Sequence, residues 1–335
     1  MYLTDEKVAV MGAAGAIGSN LAQTLLASGA TSNVAMYDPF ANGLEGAAEE
    51  LYHCGFPNAN VTFTTQVSEA LTDASYIISS GGAPRKEGMT REDLRRDNAQ
   101  IAKQLGLDIK KYCPNCKFVI IIFNPADITG LTTLVHSGLE PGRVSTLAAL
   151  DSTRLQTKLA QHFKVQQNKV TGCRTYGGHG EQMAVFKGGI KIDGISLEDV
   201  LNGKKANGIG LTAEEWAAVQ AHVRGGGARI IQLRGRSSFQ SPAQQSVFML
   251  QGVLGQPYEW PCGAYVNSNG FDHIMMAMPA TLSAKGVTWA MPQGTDDDIK
   301  ALRESYQHLV ALRDQTITDG ILPPLSDWKK SNPHL

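Results

Sequence analysis

Short apolar segments alternate with stretches of helical periodicity through the first 150 residues. Most of these segments are rich in apolar and β-branched side chains, as expected for strands buried on both faces of a parallel sheet. The pattern predicts six strands, at residues 7–11, 33–37, 61–64, 74–79, 118–123 and 143–147. It predicts helices between them, over residues 15–28, 44–54, 91–112 and 125–136. Six strands with intervening helices indicate an α/β fold built on a doubly wound parallel sheet.

Two of the predicted helices carry a clear apolar stripe. In the helix over 91–112 the stripe consists of Leu94, Ile101, Leu105, Ile109 and Tyr112. In a last helix the stripe consists of Ile299, Leu302, Tyr306, Leu309 and Val310. The last helix is expected to begin at Thr295, because threonine can cap it and the acids that follow suit the positive end of the helix dipole.

The pattern changes near residue 150, which indicates a second domain. Strand-like and glycine-rich segments now mix with helices. The predicted helices are 152–163, 212–224 and 241–254, and the strand-like segments are 171–179, 183–192 and 262–292. We therefore expect a doubly wound domain over residues 1–149, followed by an α+β domain over residues 150–335 that packs tightly against it.

Composition and charge exclude several classes of protein. Hydrophobic residues make up 42% of the 335, and 30 basic residues balance 31 acidic ones. The chain can thus form a buried core, and it lacks the basic excess of a nucleic-acid-binding protein. The longest apolar run, residues 118–123, is too short to span a membrane. The first residues do not resemble a signal peptide, so a soluble cytoplasmic protein is expected.

The five cysteines do not form a disulfide pattern, because their number is odd and they are widely scattered. Cys113 and Cys116 have the spacing of half a zinc site, but a second close pair is absent from the sequence. We therefore expect free thiols and no metal.

A glycine-rich turn follows the first predicted strand and opens the first helix. Gly12, Gly15 and Gly18 form a GxxGxxG motif, in which the backbone can approach a pyrophosphate and the helix N-terminus offers free N–H groups, including those of Ala16 and Ile17. Asp38 ends the second strand, where a carboxylate accepts both ribose hydroxyls and repels a 2′-phosphate. These features predict a Rossmann sheet that binds NAD rather than NADP.

The segment 81–93 leaves the end of a predicted strand, so it lies over the crevice where such sheets bind ligands. Its glycines would let it move as a lid. Thr90 and Asp93 have the spacing of a capping box, which places Arg91 at the first helical position, where its charge and the helix N-terminus together favour a bound anion. As isolated charges, Arg85 and Arg91 are also compatible with a solvated surface.

Three further segments carry polar groups with two interpretations each. Asn124 and Asp127 flank a proline and suit a helix start, so a site role for Asn124 depends only on its place at a strand end. Asp151 and Arg154 are three residues apart, which also fits a local ion pair. His179 lies between glycines, which leave its ring uncrowded, although a single histidine is more often structural.

Taken in order, these motifs resemble the lactate/malate dehydrogenases, and among them the malate dehydrogenases. The matching segments are GAAGAIG at 12–18, YDP at 37–39, GGAPRKEGMTREDL at 81–94, DNAQI at 97–101, FNPAD at 123–127, LDSTRLQ at 150–156 and GGHGEQM at 177–183. Weaker similarity continues through 237–243 and 276–287, so the resemblance covers nearly the whole chain.

The resemblance implies a role for each matching residue. His179 would be the general acid/base during hydride transfer at C2, and Asp151 would orient its ring. Arg154 would hold the C1 carboxylate by two hydrogen bonds, and Arg91 would polarise the C2 oxygen. The nicotinamide ribose or the edge of the substrate would contact Asn98 and Asn124, and the substrate pocket would include Ser238.

Arg85 bears on the choice of substrate. It stands where lactate dehydrogenases typically carry glutamine, and a buried guanidinium facing a methyl group would be an unpaired charge. Facing a second carboxylate it forms a charge-assisted pair, so a small dicarboxylate, malate or oxaloacetate, is expected. Glu87 and Glu181 depart from the family pattern and add negative charge near this anion site.

Three alternatives stay open from the sequence. The first is a lactate or other 2-hydroxyacid dehydrogenase. The second is an NAD-dependent glycosidase with a metal held by cysteine and histidine, since Cys173 lies six residues before His179. The third is an NAD-binding protein without activity. The resemblance also implies self-association, as a dimer or a tetramer.

Overall fold

An eight-stranded sheet forms the centre of the molecule. The computed structural model describes residues 1–83, 90–180 and 182–335, without the side chain of Arg91. The first six strands are β1 Val8–Met11, β2 Asn33–Tyr37, β3 Asn60–Thr64, β4 Tyr76–Ser79, β5 Phe118–Ile121 and β6 Val144–Leu147. They are parallel and lie in the order β3-β2-β1-β4-β5-β6, so the predicted doubly wound sheet is confirmed.

Helices cover both faces of this sheet. The helices of this half are α1 Ala16–Ala27, α2 Ala41–His53, α3 Val67–Leu71, α4 Arg91–Tyr112 and α5 Ala126–Ser137, and α6 Ala149–Phe163 follows. The alternating side chains of β5 enter two different apolar clusters, Phe118 and Ile120 one, Val119 and Ile121 the other. Burial on both faces explains why β5 has a continuous apolar sequence.

Two later strands extend the same sheet. β12 Cys262–Val266 pairs antiparallel with β6, and β13 Ile274–Met278 pairs with β12. This hairpin lies within residues 262–292, which the sequence pattern assigned to the second domain, and it covers the edge of β6, whose backbone groups would otherwise stay unpaired. The boundary at residue 150 stays a prediction.

The remaining strands form three small sheets. These strands are β7 Val170–Thr171, β8 Arg174–Tyr176, β9 Ala184–Phe186, β10 Lys191–Ile192, β11 Ile195–Ser196, β14 Ala280–Ser283 and β15 Gly286–Trp289. The remaining helices are α7 Leu197–Leu201, α8 Ala213–Arg224, α9 Gly226–Arg234, α10 Gln240–Val253, α11 Asp296–Thr318 and α12 Trp328–Ser331. The hydrophobic pattern does not predict α9, because this helix buries only Gly226 and so has no apolar stripe.

The predicted caps are present, and the predicted stripe of α4 is buried at Leu105 and Ile109 but wrong at Ile101. Thr90 and Thr295 each form a complete capping box at the start of α4 and α11. In α4, however, Ile101 is 36% exposed, and the buried face includes the polar residues Arg95 and Asn98. Hydrophobicity alone misplaced this face, because buried polar side chains that find distant partners carry no apolar signal.

Among the described residues, no helix has both the length and the apolar composition needed to span a membrane.

Candidate active site

The candidate site lies at the carboxyl ends of the parallel strands β1, β4 and β5, where open α/β sheets bind their ligands. The turn after β1 contains Gly12, the segment after β4 begins the predicted lid, and the turn after β5 contains Asn124. The α6 helix and the loop between β8 and β9 add the charged side chains.

The turn after β1 is tied to β2 by its own backbone. The N–H groups of Gly12 and Ala13 both donate to the Tyr37 carbonyl at 2.9 Å. The Ala14 N–H donates to Asp38 Oδ2 at 3.1 Å. Gly15, the residue before α1, makes no side-chain cap, so no capping side chain competes with a ligand for the N–H groups of the first turn. This arrangement fits the pyrophosphate of a dinucleotide.

Close approach explains the last glycine of the motif. A Cβ atom on Gly18 would lie 2.1 Å from the Gly12 oxygen and 2.7 Å from the Ala13 Cα. Asp38, for its part, also accepts the Phe40 N–H at 3.0 Å through Oδ1. The aspartate therefore braces the turn in addition to its predicted contact with the adenosine ribose, and that contact stays a prediction.

Gly18→Ala is expected to distort this turn, because the methyl group meets backbone atoms that cannot move aside. We expect a loss of about 1–3 kcal/mol in folding free energy and about tenfold weaker NADH binding, the equivalent of about 1.4 kcal/mol. Thermal unfolding and NADH fluorescence titration measure the two effects. Gly46→Ala is the control, since a Cβ on Gly46 in α2 meets nothing within 4 Å; equal losses in both variants would contradict the close-approach explanation.

His179 and Asp151 form the centre of the site. The His179 Nδ1 atom lies 2.7 Å from Asp151 Oδ2. The Asp151 side chain is 4% exposed and that of His179 is 26% exposed. Because a carboxylate only accepts hydrogen bonds, Nδ1 carries the hydrogen and Nε2 is left to exchange a proton. The predicted contact between the two residues is therefore present, and their catalytic roles remain a proposal.

Arg154 lies on the other side of the same carboxylate. Its Nη1 atom is 2.7 Å from Asp151 Oδ1, and its side chain is 19% exposed. The guanidinium stem packs against the start of α9, where a Cβ on Gly226 would lie 2.8 Å from Arg154 Cδ. The local ion pair that the i,i+3 spacing suggested is therefore present. Its carboxylate also contacts His179, so the three side chains form a continuous series from Arg154 through Asp151 to His179.

Asp127 is a site residue that sequence reasoning missed. The sequence suggested a helix-start role for it, with Asn124 as the cap, but α5 begins one residue later, after Pro125, and no side chain caps it. Asp127 Oδ2 instead accepts the backbone N–H of His179 at 2.9 Å, and the residue is 4% exposed. The sign of a site role for Asp127 is that its carboxylate is buried and does not cap its own helix. That sign is visible only in the tertiary structure.

The charges of this cluster change two pKa values. The charge of Asp151 raises the pKa of His179, which burial and Arg154 oppose, while the hydrogen bond with Asp151 and the charge of Asp127 raise it further. Burial raises the pKa of Asp127 to about 6, although its contacts with His179 act in the opposite direction. His179 thus keeps its proton to a higher pH than a free histidine does.

Asn98 uses its amide within the protein. Its Oδ1 atom accepts the Ala83 N–H at 2.7 Å, and its Nδ2 atom donates to the Asn124 carbonyl at 2.6 Å. Asn98 therefore links the base of the predicted lid to the turn after β5. The Asn124 side chain is exposed at this edge. Contacts of both residues with cofactor or substrate stay predictions.

The other predicted substrate residues are less defined. The predictions for Arg85, Glu87 and Glu181, and for the side chain of Arg91, lie outside the described part of the chain. Arg91 is the first residue of α4, as predicted. Ser238 lies before α10, and its buried Oγ atom has no hydrogen-bond partner within the described residues, which is compatible with its predicted place in the pocket.

Family comparison agrees with this geometry in both halves of the chain. The lactate/malate dehydrogenase NAD binding domain matches residues 6–146, and the alpha/beta C-terminal domain of the same family matches residues 148–316. The chain belongs to the lactate/malate dehydrogenase family. It is therefore an NAD-dependent oxidoreductase, and the predicted cofactor is confirmed.

Several individual proteins are similar over most of the chain. A malate dehydrogenase of Xanthobacter autotrophicus is 33% identical over 294 residues, which are 85% of this chain and 88% of that relative. The Plasmodium falciparum malate dehydrogenase matches with a TM-score of 0.86 and 26% identity, over 95% of this chain and 100% of that one. A Cryptosporidium parvum lactate dehydrogenase, solved with lactic acid and nicotinamide adenine dinucleotide, matches with a TM-score of 0.84 and 26% identity over 93% and 98%. Similarity of fold alone therefore does not separate the two activities.

Family membership removes the glycosidase alternative. Cys173, which raised it, lies in the apolar cluster beneath α6 and α8, and burial raises the pKa of its thiol to about 12. In the parts of the chain that the structure describes, no group of three or more His, Cys, Asp and Glu side chains is placed to hold a metal ion.

Proposed function

We propose that the protein is an NAD-dependent malate dehydrogenase that interconverts malate and oxaloacetate. The observation that carries this proposal is the chain of Arg154, Asp151 and His179, held by two contacts of 2.7 Å at the carboxyl edge of the sheet. The names of the curated relatives support malate as the substrate.

His179 moves the proton of the reaction. When malate is oxidised, the neutral imidazole accepts the C2 hydroxyl proton at Nε2, and Asp151 stabilises the resulting imidazolium. In the reverse direction the imidazolium returns that proton to the oxygen. When bound, NAD would supply the acceptor for the hydride that leaves C2. Because the pKa of His179 is raised, its imidazole stays protonated to a higher pH. Oxaloacetate reduction needs that proton, so its rate declines as the pH rises through the pKa of His179.

The arginines bind and orient the dianionic substrate. Arg154 uses one N–H group of its guanidinium for Asp151, and the other N–H groups would hold the C1 carboxylate in a charge-assisted pair. Arg91, at the N-terminus of α4, stabilises negative charge on the C2 oxygen. Arg85 is proposed to pair with the second carboxylate, so that each of the two carboxylates and the reacting oxygen has one arginine.

Arg85→Gln tests the choice of substrate. Loss of a charge-assisted pair costs about 1.5–3 kcal/mol, so we expect the ratio of kcat/KM for oxaloacetate over pyruvate to fall about 10- to 100-fold. NADH oxidation is measured with both substrates in parallel, each with and without EDTA. The control is Arg96→Gln, which removes an exposed arginine of α4 paired with Asp93 and should leave the ratio unchanged.

Each result of that assay decides something. A strong preference of the unaltered enzyme for oxaloacetate, insensitive to EDTA, supports the proposal. A preference for pyruvate would assign lactate dehydrogenase activity and show that Arg85 does not face the substrate. An unchanged ratio in Arg85→Gln would contradict the specificity argument alone.

We further propose the division into residues 1–149 and 150–335, which the change of pattern in the sequence supports. Self-association and a cytoplasmic location stay predictions from the sequence.

A further inference from the structure

Asp127 contacts His179 at a different atom from Asp151. Asp151 holds the ring of His179 through Nδ1, whereas Asp127 holds the main chain of the same residue through its N–H. The two carboxylates come from different helices, α6 and α5. The histidine is therefore held at both its ring and its backbone by negatively charged oxygen atoms.

We propose that Asp127 is a positioning residue that fixes the backbone of His179 and, as a second carboxylate, favours the protonated form of its imidazole. The kinetic part of this proposal rests on the malate dehydrogenase activity proposed above. The role goes beyond the ring–carboxylate pair, because it assigns part of the proton affinity of His179 to a residue that does not touch the ring.

The loop that carries His179 needs such an anchor. Glycines flank the histidine, so the side chains of this loop provide few contacts. The Gly178 N–H donates to Ser305 Oγ at 2.8 Å, and Gly177 exchanges two backbone hydrogen bonds with Ala277. The hydrogen bond to Asp127 adds a third anchored residue, His179 itself. Of these three anchors, it is the one in which a carboxylate accepts the hydrogen bond.

The charges around His179 explain the second part of the role. In the described residues, α6 contributes Asp151 and Arg154 and α5 contributes Asp127, while the Ser305 hydroxyl of α11 and the Ala277 backbone of β13 carry no charge. Taken by themselves, these described groups, two carboxylates and one guanidinium, carry a net negative charge when the imidazole is neutral and balance when it is protonated. In a buried site such a balance favours the imidazolium.

The pKa of Asp127, raised by burial to about 6, sets the range in which this influence acts. Above that value Asp127 is ionised and supports the proton on His179. Below it Asp127 is protonated, and the support disappears. The effect of removing the charge should therefore be large at alkaline pH and small near pH 6.

Asp127→Asn keeps an oxygen that can accept the His179 N–H and removes the charge. We expect oxaloacetate reduction at pH 8 to fall about tenfold and to approach the unaltered enzyme near pH 6. Malate oxidation between pH 6 and 7 should be equal or faster, because more of the imidazole is neutral. Steady-state rates of both reactions across pH 5.5–9 measure these opposite changes, which a merely damaged site does not produce.

Asp298→Asn is a matched control. Asp298 is also a buried carboxylate at a helix start, and it accepts the N–H groups of Lys187 and Gly188 at 3.1 and 3.2 Å. We expect this variant to lose stability without any change in the pH profile. An equal loss at every pH and in both directions for Asp127→Asn, or an unchanged profile, would overturn the proposal.

An NMR titration of isotope-labelled histidine separates this proposal from the proposed function. In Asp127→Asn the midpoint of the His179 signals should fall, and in the unaltered protein these signals should also respond near pH 6, as Asp127 titrates. The second measurement needs no variant. If the protein failed to reduce oxaloacetate but showed both shifts, the proposed function would fail and the role of Asp127 would stand; unchanged midpoints would reject that role.

Discussion

Replacing His179 with asparagine should slow both oxaloacetate reduction and malate oxidation by about three orders of magnitude, within the range of about 10²–10⁴ for general acid–base catalysis. Asparagine is polar and similar in size, but it cannot exchange a proton near neutral pH. Among the described residues the Nε2 atom has no hydrogen-bond partner, while the other ring nitrogen is held by Asp151. Single-turnover and steady-state rates measure the loss, and NADH titration should show unchanged cofactor binding.

The control for this variant lies on the helix that carries Asp151. His162→Asn removes a half-buried histidine near the end of α6, whose Nε2 contacts the Gly210 carbonyl at 2.8 Å. We expect this variant to change thermal stability and to leave both rates within about twofold of the unaltered enzyme. Substitutions near the surface and away from the site act mainly on stability. If His179→Asn kept a tenth of the activity, another group would have to move the proton.

Replacing Asp151 with asparagine should lower kcat for oxaloacetate reduction by about 100- to 1000-fold, since the variant removes both the orientation of the general acid and its charge partner. Asp151 is the largest of the influences that raise the pKa of His179. Without it the pKa falls, so the protonated fraction at neutral pH falls as well. The pH at which reduction declines should therefore move to lower values, and the pH–rate profile measures this shift.

The same substitution releases Arg154 from its partner, which lies 2.7 Å away. We therefore expect a rise in KM for oxaloacetate beside the fall in kcat, because the guanidinium proposed to hold the C1 carboxylate is no longer fixed. Asp319→Asn is the control: it breaks an ion pair of similar length, Arg95 to Asp319 at 2.8 Å, between α4 and the end of α11. A pH profile that stayed in place in Asp151→Asn would contradict the assigned charge coupling.

Arg154 and His179 lie on different kinds of segment, a helix and a loop. Asp151 and Arg154 come from one turn of α6, and their contact follows from their spacing. His179 comes from a loop that is held by residues of α5, α11 and β13. The site therefore combines a helical part, for which we propose the binding of substrate, with a loop part that depends on distant anchors. Substitutions at those anchors are expected to act on His179 without touching the substrate.

Several features follow from the sequence alone because they depend on neighbours along the chain. Strand alternation and apolar runs predict the parallel sheet, and the three-residue spacing of the capping boxes predicts the starts of α4 and α11. The turn from Gly12 to Gly18 is encoded in the same way, since the required backbone approach is local. The ordered set of motifs was enough to indicate the family and its cofactor.

Other features were decided only by the tertiary structure. The stripe assigned to α4 was wrong at Ile101, because buried Arg95 reaches Thr316, 221 residues away. The pairing of the β12–β13 hairpin with β6, which joins it to the parallel sheet, was likewise visible only in the structure.

Asp127 shows the same limit within the site. By local pattern it belongs to a helix start, but its partner is the backbone of a histidine 52 residues away. The sequence determined the local elements, the glycine turn and the type of chemistry, since periodicity and spacing record contacts between near neighbours. Which buried polar groups meet across the fold is set by packing, because hydrogen bonds between distant segments leave no periodic signal in the chain.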